Sequence, residues 1–196
     1  MNTEIFEKLD RDFFEKIENT DIENKHRIMI LFSGVPECGK EELAISIRDK
    51  FKGILVTKDK ARNLIYKDRE GIGIEEVEET LDEYMETVVE RLTKSKNGLV
   101  IHDASIDRKY EKYKGWAEKY GYDIFVVRMD TSRDIVKQNI ETKFKDDEGT
   151  KKWFLEQLDR WYNDFEKYKG KVDFVVKDIK AEQMQELFNI LDKKLG

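Results

Sequence analysis

A short glycine-containing loop carries the clearest chemical signal in the sequence. It reads Gly34-Val35-Pro36-Glu37-Cys38-Gly39-Lys40 and matches the first seven positions of the phosphate-binding loop pattern. In such a loop the backbone N–H groups turn inward, the start of the next helix adds partial positive charge, and the lysine adds a full charge. We therefore predict that this loop binds nucleotide phosphates through Lys40; the alternative is a strand-to-helix turn without a ligand.

The eighth position of the pattern departs from expectation. It normally holds Ser or Thr, whose hydroxyl binds Mg²⁺, but here it is Glu41, followed by Glu42. A carboxylate about 4 Å from a phosphate oxygen costs about 4 kcal/mol at an effective dielectric constant near 20, unless a metal lies between them. Either Glu41 binds Mg²⁺ directly, or triphosphate binding is weakened, or both glutamates only complement the helix dipole.

Cys38 lies within this loop, close to Lys40 and to the start of a helix. Both features can lower the pKa of a thiol. No histidine lies within sequence reach to act as its partner, so we predict a small loop residue rather than a nucleophile.

The elements that must position the loop are visible as five apolar runs separated by helix-length segments. These runs are 28–32, 54–56, 99–101, 124–127 and 174–176. Continuous apolar runs with crossover-length connections are typical of a parallel sheet that is covered on both faces. The sequence therefore predicts a three-layer α/β fold with a five-stranded parallel sheet, in which the loop follows the first strand.

The remaining segments are predicted to be helices around that sheet. Residues 4–18 have apolar side chains at helical spacing and predict an amphipathic N-terminal helix, with 19–25 as a connector. We therefore divide the chain into residues 1–26 and a domain spanning 27–196. Residues 74–93 predict a helix whose apolar stripe packs in the core. The polar stretch 144–150 predicts a mobile flap, with helices ending near Lys143 and beginning near Lys151.

Composition limits the possible classes of protein. The chain has 196 residues, 41% of them charged and 39% hydrophobic, with a net charge of −6. Acids and bases are interspersed, which argues against a protein that coats polyanions. The single cysteine and the absence of a basic-then-apolar start lead us to expect a reducing, cytoplasmic compartment. The longest apolar stretch, 28–32, is too short to cross a bilayer.

From residue 27 to residue 165 the chain resembles the P-loop kinases of the polynucleotide 5′-kinase and zeta-toxin-like group. Besides the loop, Thr57-Lys58-Asp59-Lys60-Ala61-Arg62 follows the second strand and is similar to the family's Asp-x-x-Arg substrate motif. The resemblance implies a nucleoside-monophosphate-kinase-like P-loop fold, in which Asp59 takes the proton of the attacking hydroxyl and Arg62 holds the acceptor's phosphate. The alternative is that Asp59 caps a helix beginning at Lys60 and that Arg62 is solvated.

A third match is the apolar strand at 99–101, which continues through His102 to Asp103. The resemblance implies that Asp103 orients a Mg²⁺ ion with its waters or holds Arg62. Because side chains alternate along a strand, His102 points away from Asp103 and is predicted to be a packed histidine.

The resemblance weakens in the lid, at about residues 137–152. Where the family carries arginines, this chain has Gln138 and Thr142, and losing such an arginine can slow phosphoryl transfer by a factor of about 10³ or more. The cations that could substitute as point charges are Lys137, Lys143, Lys145 and Arg160.

The resemblance implies an ATP- and Mg²⁺-dependent transfer of a phosphoryl group to a hydroxyl of a nucleotide, a polynucleotide end or a related small metabolite. The catalytic residues would be Lys40, Asp59 and Arg62, and residues 34–42 would bind ATP. The substrate would be bound by Asp59, Arg62 and Asp103. The metal would be held by Glu41 and Asp103. The rival is a degenerate P-loop module that binds a nucleotide or nucleic-acid end without turnover. Four aromatic residues after the lid either pack in the core or stack with a base: Trp153, Trp161, Tyr162 and Phe165.

Overall fold

The computed structural model describes residues 2–18, 26–66, 74–95, 98–177 and 181–195. Five strands form one all-parallel sheet in the order β2-β3-β1-β4-β5. The strands are β1 (Ile28–Ser33), β2 (Ile54–Val56), β3 (Leu99–Ser105), β4 (Asp123–Met129) and β5 (Phe174–Val176). Each predicted apolar run lies within one of them, so the predicted five-stranded parallel sheet is confirmed.

Helices cover both faces of this sheet. They are α1 (Asn2–Leu9), α2 (Glu15–Glu18), α3 (Lys40–Phe51), α4 (Lys58–Tyr66), α5 (Ile74–Ser95), α6 (Tyr110–Tyr120), α7 (Arg133–Lys143), α8 (Glu148–Lys167) and α9 (Ala181–Leu195). Alternate residues of β1 contribute to two cores: Met29 and Leu31 pack with α1, α4, α5 and α6, whereas Ile30 and Phe32 pack with α3, α7, α8 and α9. The α/β fold is therefore three-layered, as predicted.

The N-terminal segment packs onto the first of these cores. Its predicted apolar stripe is buried at Ile5, Leu9 and Phe13, and a π-helical turn at Asp10–Phe14 joins α1 to α2. Within that turn Asp10 accepts hydrogen bonds from the Tyr84 hydroxyl at 2.9 Å and from Arg91 at 2.8 Å. The predicted connector 19–25 lies outside the described residues.

The site-forming edge of the sheet is set by β1. Its neighbours are β3 on one side and β4 on the other. The chain crosses from β1 to β2 on the first side, and from β3 it crosses over β1 to β4 on the other side. In open α/β sheets such a reversal creates a crevice at the carboxyl ends of the strands. The phosphate-binding loop follows β1 and therefore opens into that crevice.

β3 contains an irregularity at this edge. Leu31 pairs with His102 but Phe32 pairs with Ser105, so β3 has two more residues than β1 between these pairs. The pairing resumes after the bulge, where Ile106 N donates to Phe32 O at 2.9 Å. The two acids of this region, Asp103 within the bulge and Asp107 after it, contact different segments of the chain, as their partners show below.

The lid differs in detail from the prediction. α7 ends at Lys143 as expected, but α8 begins at Glu148 rather than near Lys151. The earlier start arises because Asp147 accepts a hydrogen bond from Thr150 N at 2.9 Å and caps the helix. The non-helical part of the predicted flap is thus limited to residues 144–147. Phe144 begins this part, and the centroid of its ring lies 4.7 Å from that of Phe154.

No helix in the described part of the chain is long and apolar enough to span a bilayer.

Candidate active site

The phosphate-binding loop is wrapped between β1 and α3. Gly34 and Gly39 have positive φ angles of +154° and +94°, and Glu37 has a φ of +59°. Gly34 N donates to Asp107 Oδ2 at 3.2 Å, which ties the start of the loop to the segment after β3. The two glycines allow the tight path, and Lys40 is the first residue of the helix that follows.

Lys40 lies inside this loop with 8% of its surface exposed. Its ammonium group donates to Gly34 O at 2.9 Å and to Val35 O, and it lies 3.6 Å from Cys38 Sγ. Within the described ranges Lys40 forms no ion pair. Its charge is therefore balanced by backbone carbonyl dipoles, and an incoming phosphate would meet no competing carboxylate on this lysine.

Cys38 is a small loop residue whose side chain packs beneath the loop backbone, with 2% of its surface exposed. Burial raises the pKa of its thiol even though Lys40 acts in the opposite direction. The surroundings therefore disfavour the thiolate, consistent with the predicted role as a loop residue and not with an activated nucleophile.

Glu41 and Asp103 meet at the mouth of the loop. Glu41 Oε1 lies 3.5 Å from Thr57 Oγ1, and Asp103 Oδ1 accepts a hydrogen bond from Lys58 N at 3.2 Å. Burial and the nearby Asp59 raise the pKa of Glu41. Burial, with repulsion from Glu41 and Asp59, raises the pKa of Asp103 to about 7. These carboxylates are thus close together without enough positive charge to compensate them.

This donor set fits a hard divalent cation. No group of three or more metal-binding side chains is arranged around one point in the residues that the structure describes. Mg²⁺, however, is usually held by one or two carboxylates together with substrate phosphates and waters. Glu41 and Asp103 can supply the carboxylates, and a cation between them would relieve their mutual repulsion.

Asp59 lies in the first turn of α4 and faces the loop across the cleft. α4 begins at Lys58, before Asp59, and the Arg62 side chain is only 16% exposed. The alternative of a capping Asp59 with a solvated Arg62 is therefore wrong. Asp59 Oδ1 accepts from Arg62 Nη1, and Oδ2 accepts from Lys143 Nζ at 2.7 Å. Although burial acts to raise the pKa of Asp59, Arg62 and Lys143 outweigh it and hold the pKa below its usual value.

Arg62 has a second carboxylate partner on α5. Its Nε and Nη2 atoms donate to Glu78 Oε1 and Oε2 at 2.5 and 3.1 Å, in a bidentate arrangement. Arg62 therefore binds Asp59 and Glu78, whereas Asp103 accepts from the backbone of Lys58. The predicted contact between Asp103 and Arg62 is absent from these described hydrogen bonds.

The wall next to Arg62 consists of a row of acids and the bases that pair with them. Glu78, Asp82 and Glu86, which we call the α5 carboxylate row, are spaced four residues apart on one helix face. Lys58 Nζ lies 2.7 Å from Glu78 and 2.5 Å from Asp82. Lys109 Nζ lies 2.6 Å from Glu86 and 3.3 Å from Asp82. No role is predicted from the sequence for any of these five residues.

Lys143 connects the lid with both sides of the cleft. Its ammonium group donates to Glu37 Oε1 at 2.8 Å and to Asp59 Oδ2 at 2.7 Å. One turn earlier on α7, Asn139 Nδ2 donates to Glu37 O at 2.9 Å. Among the four predicted substitutes for a lid arginine, Lys143 is thus the one that reaches Asp59.

The other three candidate cations are placed differently. Lys137 is exposed, and Lys145 pairs with Asp146 in the exposed turn. Arg160 is exposed on α8 but lines the cleft, as do Gln138 and Thr142. Of the four candidate cations, Lys143 therefore contacts the candidate base and Arg160 lies at the rim of the cleft.

Two of the four predicted aromatic residues also line the cleft. Trp153 and Trp161 on α8 are half-buried, with ring centroids 5.7 Å apart. Phe165 is buried in the core, and the Tyr162 hydroxyl donates to Thr131 O at 3.1 Å. The core-packing prediction therefore describes Phe165, whereas the two tryptophans combine packing with a surface toward the cleft, whose volume is about 980 Å³.

Two further groups complete the site. Asp107 binds Gly34 through Oδ2, while its Oδ1 is buried without a hydrogen-bond partner among the described atoms. His102 is buried, as predicted, with Nε2 3.0 Å from the Tyr113 hydroxyl and Nδ1 3.4 Å from Val56 O. Burial lowers the pKa of His102 to about 4, so the ring is neutral. Asp107 and Gly34 are 73 residues apart in sequence, so their contact is visible only in the structure.

Comparison with known proteins places the fold. No family model and no curated protein sequence matches the chain. Solved structures do match: an APS kinase from Mycobacterium tuberculosis (TM-score 0.52, 15% identity, 85% of this chain and 98% of that one) and a shikimate kinase from Bacteroides thetaiotaomicron (0.53, 12%, 87% and 98%). A structure from the PezAT chromosomal toxin–antitoxin system of Streptococcus pneumoniae also matches (0.59, 14%, 100% and 95%). The chain has the fold of the P-loop kinases.

Proposed function

We propose that the protein is an ATP-dependent phosphotransferase that acts on a hydroxyl group. The observation that carries the proposal is the placement of an ionised Asp59 opposite the phosphate-binding loop in one cleft, with Lys143 between them. Phosphoryl transfer requires mainly positioning and positive charge around the transferred group. The kinase-fold neighbours support this reaction class.

In the proposed reaction, the loop and Lys40 bind the phosphates of ATP. The acceptor oxygen forms a bond to the γ-phosphorus while the bond from that phosphorus to the β–γ bridging oxygen breaks, and ADP leaves. Asp59 takes the proton of the acceptor hydroxyl. Because the pKa of Asp59 is lowered, this proton transfer becomes favourable only as the hydroxyl grows more acidic while its oxygen bonds to phosphorus. Glu41 and Asp103 would hold Mg²⁺, which when bound neutralises phosphate charge.

The resemblance to polynucleotide 5′-kinases and zeta toxins supports a finer proposal about the acceptor. It would be a nucleotide, a polynucleotide end or a related small metabolite, with Arg62 nearest to it. We also propose a cytoplasmic location, where ATP is available as a phosphoryl donor. Arg62 is already bound to Glu78 at two atoms, so an acceptor phosphate would compete with that carboxylate for Arg62.

The rival proposal is a module that binds nucleotide or a nucleic-acid end without turnover. It is favoured by Glu41 at the Ser/Thr position and by Gln138 and Thr142 at the lid positions. The Glu41→Thr variant separates the two. An active kinase that uses Glu41 as a ligand should change its metal preference, whereas a degenerate site should gain nucleotide affinity.

The first experiment is a calorimetric titration with ATP and with ADP, in the presence and absence of Mg²⁺. Lys40→Ala tests the loop, and Lys60→Ala, an exposed lysine on α4, is the matched control. We expect micromolar, Mg²⁺-dependent binding that Lys40→Ala abolishes and Lys60→Ala leaves unchanged. The absence of binding at millimolar nucleotide would refute the kinase proposal.

A further inference from the structure

We infer that the acceptor is a neutral, polyhydroxylated small molecule of the sugar or polyol class, and not a phosphorylated end. This inference rests on the proposed phosphotransfer and concerns the wall formed by α4, α5 and α6.

Three of the bases that line this wall each contact two carboxylates. Lys58 contacts Glu78 and Asp82, Arg62 contacts Asp59 and Glu78. Lys109 contacts Asp82 and Glu86 in the same way. A phosphate group would add negative charge beside bases whose own charge the carboxylates already compensate, in a half-buried wall. The pairing therefore selects against an acceptor that carries its own phosphate.

The pKa values of the carboxylates are consistent with this pairing. Although burial acts to raise the pKa values of Glu78 and Asp82, their lysine and arginine partners hold both values below the usual range. Lys112, which is half-exposed, adds a second cation to Glu86. Bases and acids along the row therefore balance, and the wall presents little net charge to a ligand.

Paired charges still suit hydroxyl groups. An ammonium group has three donors, a guanidinium has five, and a carboxylate can accept about four hydrogen bonds, so each group keeps unused capacity after forming its ion pairs. A hydroxyl both donates and accepts. Neighbouring hydroxyls on one ring could therefore bind alternately to Asp82 and Lys58 or Lys109 without breaking an ion pair.

The rest of the cleft supplies apolar surface that suits the C–H face of a sugar or cyclitol ring. That surface comes from the half-buried Trp153 and Trp161 on α8, whereas Met85, Tyr113 and His102, which border the cleft beside the carboxylate row, are each no more than 2% exposed. The C–H face of a sugar or cyclitol ring packs well on an indole ring, while its hydroxyls point to the polar wall. A volume of about 980 Å³ is at the upper end of typical ligand pockets, which leaves space for an acceptor beside ATP.

The test uses the full chain with ATP and Mg²⁺ and measures ADP formation. The acceptors are matched pairs, D-ribose with D-ribose 5-phosphate and D-glucose with D-glucose 6-phosphate, together with myo-inositol, a set of alditols and a 5′-hydroxyl oligonucleotide. We expect at least one neutral acceptor to raise ADP formation, with kcat/KM at least ten-fold above that of its phosphorylated partner. ³¹P NMR identifies the phosphorylated product.

A second arm tests the cause of this preference. Glu78→Gln with Asp82→Asn frees Lys58 and Arg62 and should shift the preference at least ten-fold toward the phosphorylated member of a pair. Glu83→Gln, on the exposed face of the same helix, should leave it unchanged. Circular dichroism spectra confirm that each variant is folded.

The outcomes separate this inference from the proposed function. Preference for a phosphorylated acceptor or the oligonucleotide would overturn the inference while confirming a kinase. Lys40-dependent ATP binding without stimulation by any neutral acceptor would also overturn it, and would leave the nucleotide site standing. Failure to bind ATP at all would instead refute the proposed function.

Discussion

The two sides of the cleft hold their positive charge in different ways. On the loop side, Lys40 bonds to the carbonyls of Gly34 and Val35 and has no carboxylate partner in the described part of the chain. On the opposite side, Lys58 and Arg62 each contact two carboxylates. Both sets of hydrogen bonds are charge-assisted, but withdrawing Lys58 or Arg62 would also leave a partly buried carboxylate without its compensating charge. A phosphate can therefore take Lys40 from its carbonyls more easily than it can take Arg62 from its acids.

This difference separates two tasks that both involve phosphate. The loop side can bind a polyanion because its donors are backbone N–H groups, a helix start and one lysine with no acid on it. The opposite side keeps its charges balanced and offers hydrogen bonds instead. Lys143 is the residue that touches both sides, through Glu37 and Asp59.

The largest effect should come from the base on the acceptor side. Asp59→Asn removes the proton acceptor while keeping the shape, so we expect kcat to fall by about 10²–10⁴-fold. The Kd for ATP, measured by calorimetry, should stay within about two-fold because phosphate binding depends on the other side. The control is Lys60→Gln on the exposed face of α4. An unchanged kcat would show that Asp59 is not the base.

The next largest effect should come from the residue that joins the sides. Lys143→Gln removes a cation beside the transferred group, and we expect kcat to fall by about 10–10³-fold, less than for an arginine of the usual kind. Steady-state kinetics measure it, with the exposed Lys137→Gln on α7 as control. If kcat is unchanged and ATP binds more tightly, the lysine only holds the lid against the cleft.

A change confined to the loop side should weaken nucleotide binding and stability together. A Cβ atom at Gly34 would lie 2.9 Å from Cys38 Sγ and 3.0 Å from Met129 Cβ, at a φ of +154°. We expect Gly34→Ala to lower the free energy of unfolding by about 1–3 kcal/mol and to weaken ATP binding. Urea titration and calorimetry measure the two effects.

The matched control for that variant lies in α6. A Cβ atom at Gly115 would meet no atom within 4 Å, so Gly115→Ala should stabilise the helix by about 0.5–1 kcal/mol. ATP binding should not change. Equal losses of stability in both variants would contradict the steric argument at Gly34.

The smallest effect should come from a hydrogen bond outside the cleft. It tests whether ATP affinity depends only on residues of the cleft. Tyr84→Phe removes the hydroxyl that donates to Asp10 at 2.9 Å, and we expect the free energy of unfolding to fall by about 1 kcal/mol. ATP affinity should be unchanged. A large loss of ATP affinity would mean that the N-terminal helix is coupled to the site.

The sheet and the loop could be predicted because their signals are local. Five apolar runs give five strands, and the spacing of Gly34, Gly39 and Lys40 needs only a strand before it and a helix after it. The nearness of Asp59 and Arg62 was also predictable, because residues three apart share a helix face. Their roles in a reaction remain predictions.

The rest of the site depends on features that one sequence does not display. The α5 carboxylate row lies in a helix that also contains Glu75, Glu76, Glu79 and Glu90, so its spacing does not stand out. Asp103 lies within the bulge of β3 and contacts Lys58, while Asp107 follows the bulge and contacts Gly34. Since the bulge arises from pairing between distant strands, no local pattern reveals it.

The buried cysteine has a practical consequence. Cys38 is the only cysteine in the chain and lies beneath the loop with 2% of its surface exposed. A thiol reagent can reach it only when the loop opens. The rate of labelling therefore reports loop opening in the unmodified protein, and a nucleotide that holds the loop closed should slow that rate in proportion to its occupancy. The chain thus contains its own chemical reporter for ligands of the loop.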